Sequence, residues 1–169
     1  MTTSRNTSIN KDKVPALFRR LRAEDVAGKI VVDYGCGRWP WMAAAVLRDM
    51  GAEQVISYDP YNYTSAEIAG RIEEARALHN VDVVCLSNVL NVIPEYRERW
   101  NVVRLCCSLL RPGGRLYITV YEGDRSGCGR ETMADCWQEN RPTADYVREL
   151  ECIMPGWDVV RHGKLIVVS

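Results

Sequence analysis

Residues 31–41 read VVDYGCGRWPW: an apolar run, an acid at Asp33, then Gly35 and Gly37 with Cys36 between them. Glycines at the end of a strand let a ligand approach the backbone, and in dinucleotide-binding turns three of them frame a pyrophosphate. The third glycine is missing here, Pro40 stands in that stretch, and a carboxylate at Asp33 would repel a phosphate. An acid beneath a glycine turn suits recognition of a cation. A second acid, Asp59, follows 22 residues after Gly37. That is near the roughly 20-residue spacing at which a carboxylate closing a second strand reaches ribose hydroxyls. The chemistry asked for is a phosphate-free nucleoside carrying positive charge.

The elements that must position these residues follow from apolar periodicity and breakers. Residues 1–13 read as a flexible polar tail and 14–28 as an amphipathic helix ending at Gly28. KIVVDYG is a strand buried on both faces, because its apolar residues run together. Pro40 suits the first turn of a helix that Gly51 stops. A second strand ends at Asp59. Thr64 and Glu67 form a capping box for a helix that aligns Ile68, Ile72, Ala75 and Leu78 on one face. VDVVCLSNVL (81–90) is another buried strand, Pro94 opens a helix up to the RPGG break at 111–114, and RLYITVYEG (115–123) is a strand. A long polar segment occupies 123–141, Thr143 caps a last helix to about Cys152, and two strands joined near His162 and Gly163 complete the chain. The alternation predicts an α/β fold: one domain over 14–169 with a doubly wound, mostly parallel sheet and an antiparallel C-terminal hairpin. Gly113 and Gly114 serve the turn.

S-adenosylmethionine has an ammonium, a sulfonium and a free ribose diol, and no phosphate, so it meets the demands of Asp33 and Asp59. Over about residues 28–169 the chain resembles the class I S-adenosylmethionine-dependent methyltransferases. VVDYGCG resembles the first motif, VISYDP the acidic end of the second strand, VDVVCLSNVLNVI the fourth-strand motif, and LLRPGGRLYITV the helix, glycine turn and fifth strand. The resemblance implies a sheet order of 3-2-1-4-5-7-6 with an antiparallel last strand. It implies a cofactor site made of Asp33, Tyr34, Gly35, Cys36, Gly37, Asp59, Pro60, Ser87, Asn88 and Val89. The family places a third strand, whose end contacts adenine, between positions equivalent to Asp59 and Val81. Here that strand is reduced to a short piece around Ala77 to Asn80 or is missing, so the adenine partner is unassigned.

Methyl transfer is an in-line displacement on an activated sulfonium, and alignment with desolvation can supply much of the catalysis. A base is needed only where the acceptor must lose a proton early. The catalytic candidates are Asn88, Tyr121 and Glu122. With Tyr61, Tyr63 and the segment 123–141, which brings Gln138, Asn140 and Arg141, they form the expected acceptor pocket. The position of the DNA adenine methylation motif reads Ser87-Asn88-Val89-Leu90, no PC pair suits cytosine chemistry, and no segment is spare for DNA recognition. A small-molecule acceptor is expected. The alternatives are a tRNA or DNA methyltransferase and a non-catalytic S-adenosylmethionine-binding partner protein; a nicotinamide dehydrogenase is disfavoured by Pro40 and Asp33.

The formal net charge is zero over 169 residues, so no overall field draws the chain to nucleic acid or anionic membranes. None of the seven cysteines has zinc-ligand spacing, which predicts buried thiols in a reducing compartment and no metal site. The polar N-terminus and the lack of an ~18-residue apolar run predict a cytoplasmic protein. Trp39 and Trp41 either shield the methionine end or anchor the helix entry. His79 and His162 sit where a helix end and a hairpin turn are expected. Lys11, Lys13, Arg19, Arg20 and Arg22 read as a solvated face. The chain is expected to be a monomer or homodimer.

Overall fold

The computed structural model describes residues 13–62, 71, 73–75 and 80–169. Four strands run parallel: β1 (Ile30–Tyr34), β2 (Gln54–Tyr58), β3 (Val81–Ser87) and β4 (Leu110–Thr119). A short hairpin, β5 (Arg130–Met133) and β6 (Cys136–Gln138), forms a sheet of its own. The chain ends in β7 (Val159–His162) and β8 (Leu165–Val168), with β8 antiparallel to β4. The main sheet has the order β2-β1-β3-β4-β8-β7, so the expected α/β architecture and C-terminal hairpin are present.

Helices cover both faces. In β1, Val31 and Val32 point to opposite sides. Val31 joins Leu17, Phe18 and Leu47, the last from α2 (Pro40–Asp49). Val32 joins Val103 and Cys106 of α3 (Tyr96–Leu109) and Leu150 of α4 (Thr143–Ile153) once those helices are numbered after the short α1 (Ala23–Val26). Burial on two sides is why the strands read as continuous apolar runs. A buried ion pair ties α3 to α4: Arg99 grips Glu149 through Nε and Nη2 (2.8 and 3.2 Å), while its Nη1 donates to the carbonyls of Ile93 and Pro94 (2.8 and 2.9 Å).

Several expectations need correction. The helix over 14–28 is broken: residues 16–20 form turns, Arg22 is extended (φ −110°, ψ 160°), and α1 starts anew because Asp25 accepts the Arg22 N–H at 2.8 Å. The strand expected from Arg115 starts at Leu110, and RPGG is a bulge inside it. The register jumps from Val81 opposite Leu110 to Val83 opposite Arg115, with Gly113 at φ 77°. The polar segment 123–141 contains the β5–β6 hairpin. Thr143 is the first helical residue of α4, not its cap.

Among the described residues no strand lies between β2 and β3, and β2 is a sheet edge. The Ser57 carbonyl on that edge accepts a hydrogen bond from Arg71 Nη1 (2.7 Å). Residues 1–12, the capping box at Thr64 and Glu67, Tyr63, Ile68, Ile72, Leu78, His79 and all of the expected short third strand but Asn80 lie outside the described residues; Asn80 is in no strand. Among the described residues no helix is long and apolar enough to cross a membrane.

Candidate functional site

The carboxyl ends of β1, β3 and β4 open into a cleft of about 1240 Å³, the position at which ligands bind in open α/β sheets. Its floor is the turn after β1. Gly35 and Cys36 donate N–H groups to the Tyr58 carbonyl (2.7 and 3.2 Å), and Gly37 donates to Asp59 Oδ2 (2.9 Å). Asp59 Oδ1 accepts from the Tyr61 and Asn62 backbones and from Asn62 Nδ2 (2.9, 3.0 and 2.9 Å). One carboxylate thus holds two turns together.

Gly35 and Gly37 have φ of 75° and 70°, which glycine adopts without a steric penalty. A Cβ on Gly35 would also overlap Val89 Cγ2, so the missing side chain is what lets the loop after β3 close over the turn. Asn88, at φ 58°, adopts a conformation that asparagine tolerates better than most residues, and its N–H is held by the Thr119 carbonyl (2.9 Å). Gly35→Ala is expected to destabilise the protein by about 1 to 3 kcal/mol through overpacking and backbone strain. Urea denaturation checks this; a change below about 0.5 kcal/mol would show that Val89 has room to retreat.

Asp33 is 2% exposed and lines the cleft. Burial, then the neighbouring Asp59 charge, pushes its carboxyl up to about 7. Among the described residues no hydrogen-bond donor reaches it. A buried carboxyl facing a cleft with no donor of its own is costly unless a ligand supplies one.

The far wall is knotted by Asn91, which is buried. Its Oδ1 accepts the Tyr121 N–H (3.2 Å), its Nδ2 donates to Gln138 Oε1 (3.3 Å), and its carbonyl accepts the Glu139 N–H (2.7 Å). Gln138 Nε2 donates to the Tyr121 carbonyl (3.0 Å). The loop after β3, the end of β4 and the β5–β6 hairpin are therefore tied into one wall. Sequence reasoning missed Asn91, since a lone asparagine in NVLNV carries no periodic or motif signal.

All ten residues expected to hold the cofactor line this cleft: Asp33, Tyr34, Gly35, Cys36, Gly37, Asp59, Pro60, Ser87, Asn88 and Val89. Tyr61, Tyr121, Gln138 and Asn140 line it too, with Tyr121 61% exposed. Glu122 does not. Its Oε1 accepts from the Thr143 N–H and hydroxyl (2.8 Å each), and its Oε2 pairs with Arg125 and Lys164. The Thr143 backbone N–H leads the contacts that hold this carboxyl down at about 2, and the geometry makes Glu122 the cap of α4. Arg141 is likewise engaged, bonded to Glu149 (2.7 Å) and stacked 4.3 Å from the Tyr146 ring centroid. Trp39 lines the cleft with Trp41 edge-on at 5.0 Å. His162, expected in a turn, is the exposed last residue of β7 and is not part of the lining, and Arg19, Arg20 and Arg22 face solvent. All seven cysteines are free, four are buried as expected, and Cys128 and Cys152 are exposed instead. Among the described residues no cluster of His, Cys, Asp or Glu could hold a metal.

Residues 7–163 match the family model of the methyltransferase domain. No curated protein sequence matches the chain. Among solved structures it is similar to a 1,6-didemethyltoxoflavin-N1-methyltransferase from Burkholderia thailandensis with bound 1,6-didemethyltoxoflavin and S-adenosylhomocysteine: 19% identity over 97% of this chain and 79% of that one, TM-score 0.65. It is also similar to the CcbJ methyltransferase from Streptomyces caelestis (13% identity, 99% of this chain and 96% of that one, TM-score 0.60). A third is a sugar N-methyltransferase from Streptoalloteichus sp ATCC 53650 (15% identity, 94% of this chain and 89% of that one, TM-score 0.59). With the glycine turn, the two carboxylates and the sheet order in place, the family match over nearly the whole chain is decisive: the chain belongs to the methyltransferase domain family.

Proposed function

We propose that the chain transfers a methyl group from S-adenosylmethionine to a small-molecule acceptor. The observation that carries this reading is Asp33, a buried carboxyl that faces the cleft without a donor. When bound, S-adenosylmethionine supplies a methyl group made electrophilic by its sulfonium. Asp33 would hold the ammonium end, directly or through water, and the Gly35–Gly37 turn gives the backbone clearance to lie alongside. Asp59 Oδ2, whose one donor among the described residues is the Gly37 N–H, has a lone pair left for the ribose diol. Ser87, Asn88 and Val89 close the opposite side.

The residues facing the methyl group act by orientation. Asn88 and Tyr121 offer polar side chains to an acceptor, while Gln138 and Asn140 are engaged in the wall itself. Holding the two reactants in line accounts for much of such a rate enhancement. The walled cleft supports a small acceptor, as do the 1,6-didemethyltoxoflavin and the sugar named for two structural neighbours. The seven free thiols support a reducing, cytoplasmic setting. Incubation with methyl-labelled donor and a panel of amines, phenols and nucleosides should label a small compound. Label found only in tRNA or DNA would overturn the small-molecule reading.

Asp33 also predicts a pH dependence. A carboxyl raised to about 7 favours the protonated form in the free protein. Its contribution to stability is complete below the ordinary carboxylate range and is lost as pH rises through about 7. An ammonium requires the ionised form, so donor affinity should rise with pH and level off above about 7. Binding below about pH 7 should therefore release protons, and the release should fade as pH rises above that. Calorimetry in buffers of different ionisation heat measures this. Asp33→Asn should abolish the release; an equal release in that variant would assign it to another group.

A further inference from the structure

Near the turn that follows β2, one wall of the cleft is a helix. Glu98, Asn101, Val102 and Leu105 of α3 follow one another at helical spacings, so they form one stripe, and all four line the cleft. Leu105 packs on the core cluster that contains Tyr34 and Tyr58. Because β3 and β4 are parallel, the helix joining them runs back against the strands, with its N-terminal half at their carboxyl ends. Glu98 therefore stands about 10 Å from Leu105 towards the mouth of the cleft, beside the turn from Asp59 to Asn62. Burial, and next the charge of Glu98, raises the Tyr61 phenol above its usual range, which agrees with that placement. No described residue pairs with the Glu98 carboxylate.

We propose that Glu98 selects the adenine base of the donor by accepting a hydrogen bond from its 6-amino group. The inference rests on the methyl-donor reading above. A ribose bound at Asp59 directs its base away from Asp33, past Tyr61 and against the α3 stripe. There Val102 and Leu105 offer apolar contact and Glu98 offers lone pairs. A carboxylate has acceptors only, so it matches an exocyclic amine and opposes a 6-oxo group.

The test titrates the wild-type protein, Glu98→Ala and Glu98→Gln with S-adenosylhomocysteine and with its 6-oxo counterpart, S-inosylhomocysteine. Wild type should prefer the adenosyl compound by at least about 10-fold, the scale of one charge-assisted hydrogen bond. Glu98→Ala should bind S-adenosylhomocysteine about 10-fold more weakly and lose the preference. Glu98→Gln, nearly isosteric and able to donate to a 6-oxo group, should narrow the preference to within about 3-fold with an unchanged melting temperature. Tight S-adenosylhomocysteine binding with the wild-type preference intact in both variants would overturn the role of Glu98 and leave the donor reading standing. Failure of wild type to bind S-adenosylhomocysteine would overturn the donor reading and this inference with it.

Discussion

Asp59→Ala is expected to reduce affinity for S-adenosylhomocysteine by about a hundredfold or more, and to destabilise the protein by about 2 to 4 kcal/mol. The affinity loss begins with the charge-assisted bonds to the ribose, worth about 1.5 to 3 kcal/mol. Read from the sequence, Asp59 is only the ribose acid, and its removal should leave the fold nearly untouched. The structure adds a second loss. The same carboxylate receives the buried Gly37 N–H and three donors from Tyr61 and Asn62, so truncation orphans the glycine turn and the turn after β2 together. Each buried N–H left unsatisfied costs about 1 to 3 kcal/mol; those of Tyr61 and Asn62 are half-buried and recover part of this through water. Asp59→Asn keeps one acceptor oxygen and should fall between. Calorimetry and urea denaturation on the three proteins separate the two losses, and wild-type affinity in Asp59→Ala would mean that the ribose is held elsewhere.

Arg99→Ala should cost about 3 to 5 kcal/mol of stability, the range for breaking a buried ion pair from one side. The Arg99 side chain is 6% exposed and that of Glu149 is 9% exposed. Deletion leaves Glu149 with Arg141 alone and strips two carbonyls, Ile93 and Pro94, of their shared donor. Those two residues line the cleft, so donor affinity should fall as the wall loosens. Replacing both partners with apolar residues, Arg99→Met with Glu149→Leu, should recover only part of the stability: the orphaned Glu149 charge is gone, but Arg141 keeps Glu139 alone and the Ile93 and Pro94 carbonyls still lack their donor. Denaturant midpoints give the comparison; a loss under about 1 kcal/mol in Arg99→Ala would mean that water reaches the pair.

What the sequence revealed and what it hid differ in range. The places of Asp33, Gly35, Gly37 and Asp59 in the cleft lining were legible because they lie where a strand ends, and strand ends are marked locally by apolar runs and glycines. The parallel sheet followed from the alternation of strands and helices, since each buried strand requires a helix on either side. Glu122 was misplaced because its partner Thr143 lies 21 residues away; nothing near an acid after a strand says that a distant helix will claim it. Arg99 and Glu149, 50 residues apart, carry no local sign of their pairing for the same reason. The β5–β6 hairpin was invisible for another: all four residues of β5 are exposed, so it carries no alternation of apolar and polar residues. The break at Arg22 depends on competition between a capping box and helix continuation, which periodicity does not weigh.

The central claim is that this cleft binds a methyl donor through Asp33 and Asp59, and titration of the purified protein with S-adenosylmethionine, S-adenosylhomocysteine and NAD tests it most directly. The account predicts saturable one-to-one binding of the first two, with proton release at pH 6, and no binding of NAD. Binding of NAD, or no heat with either sulfur nucleoside, would contradict it.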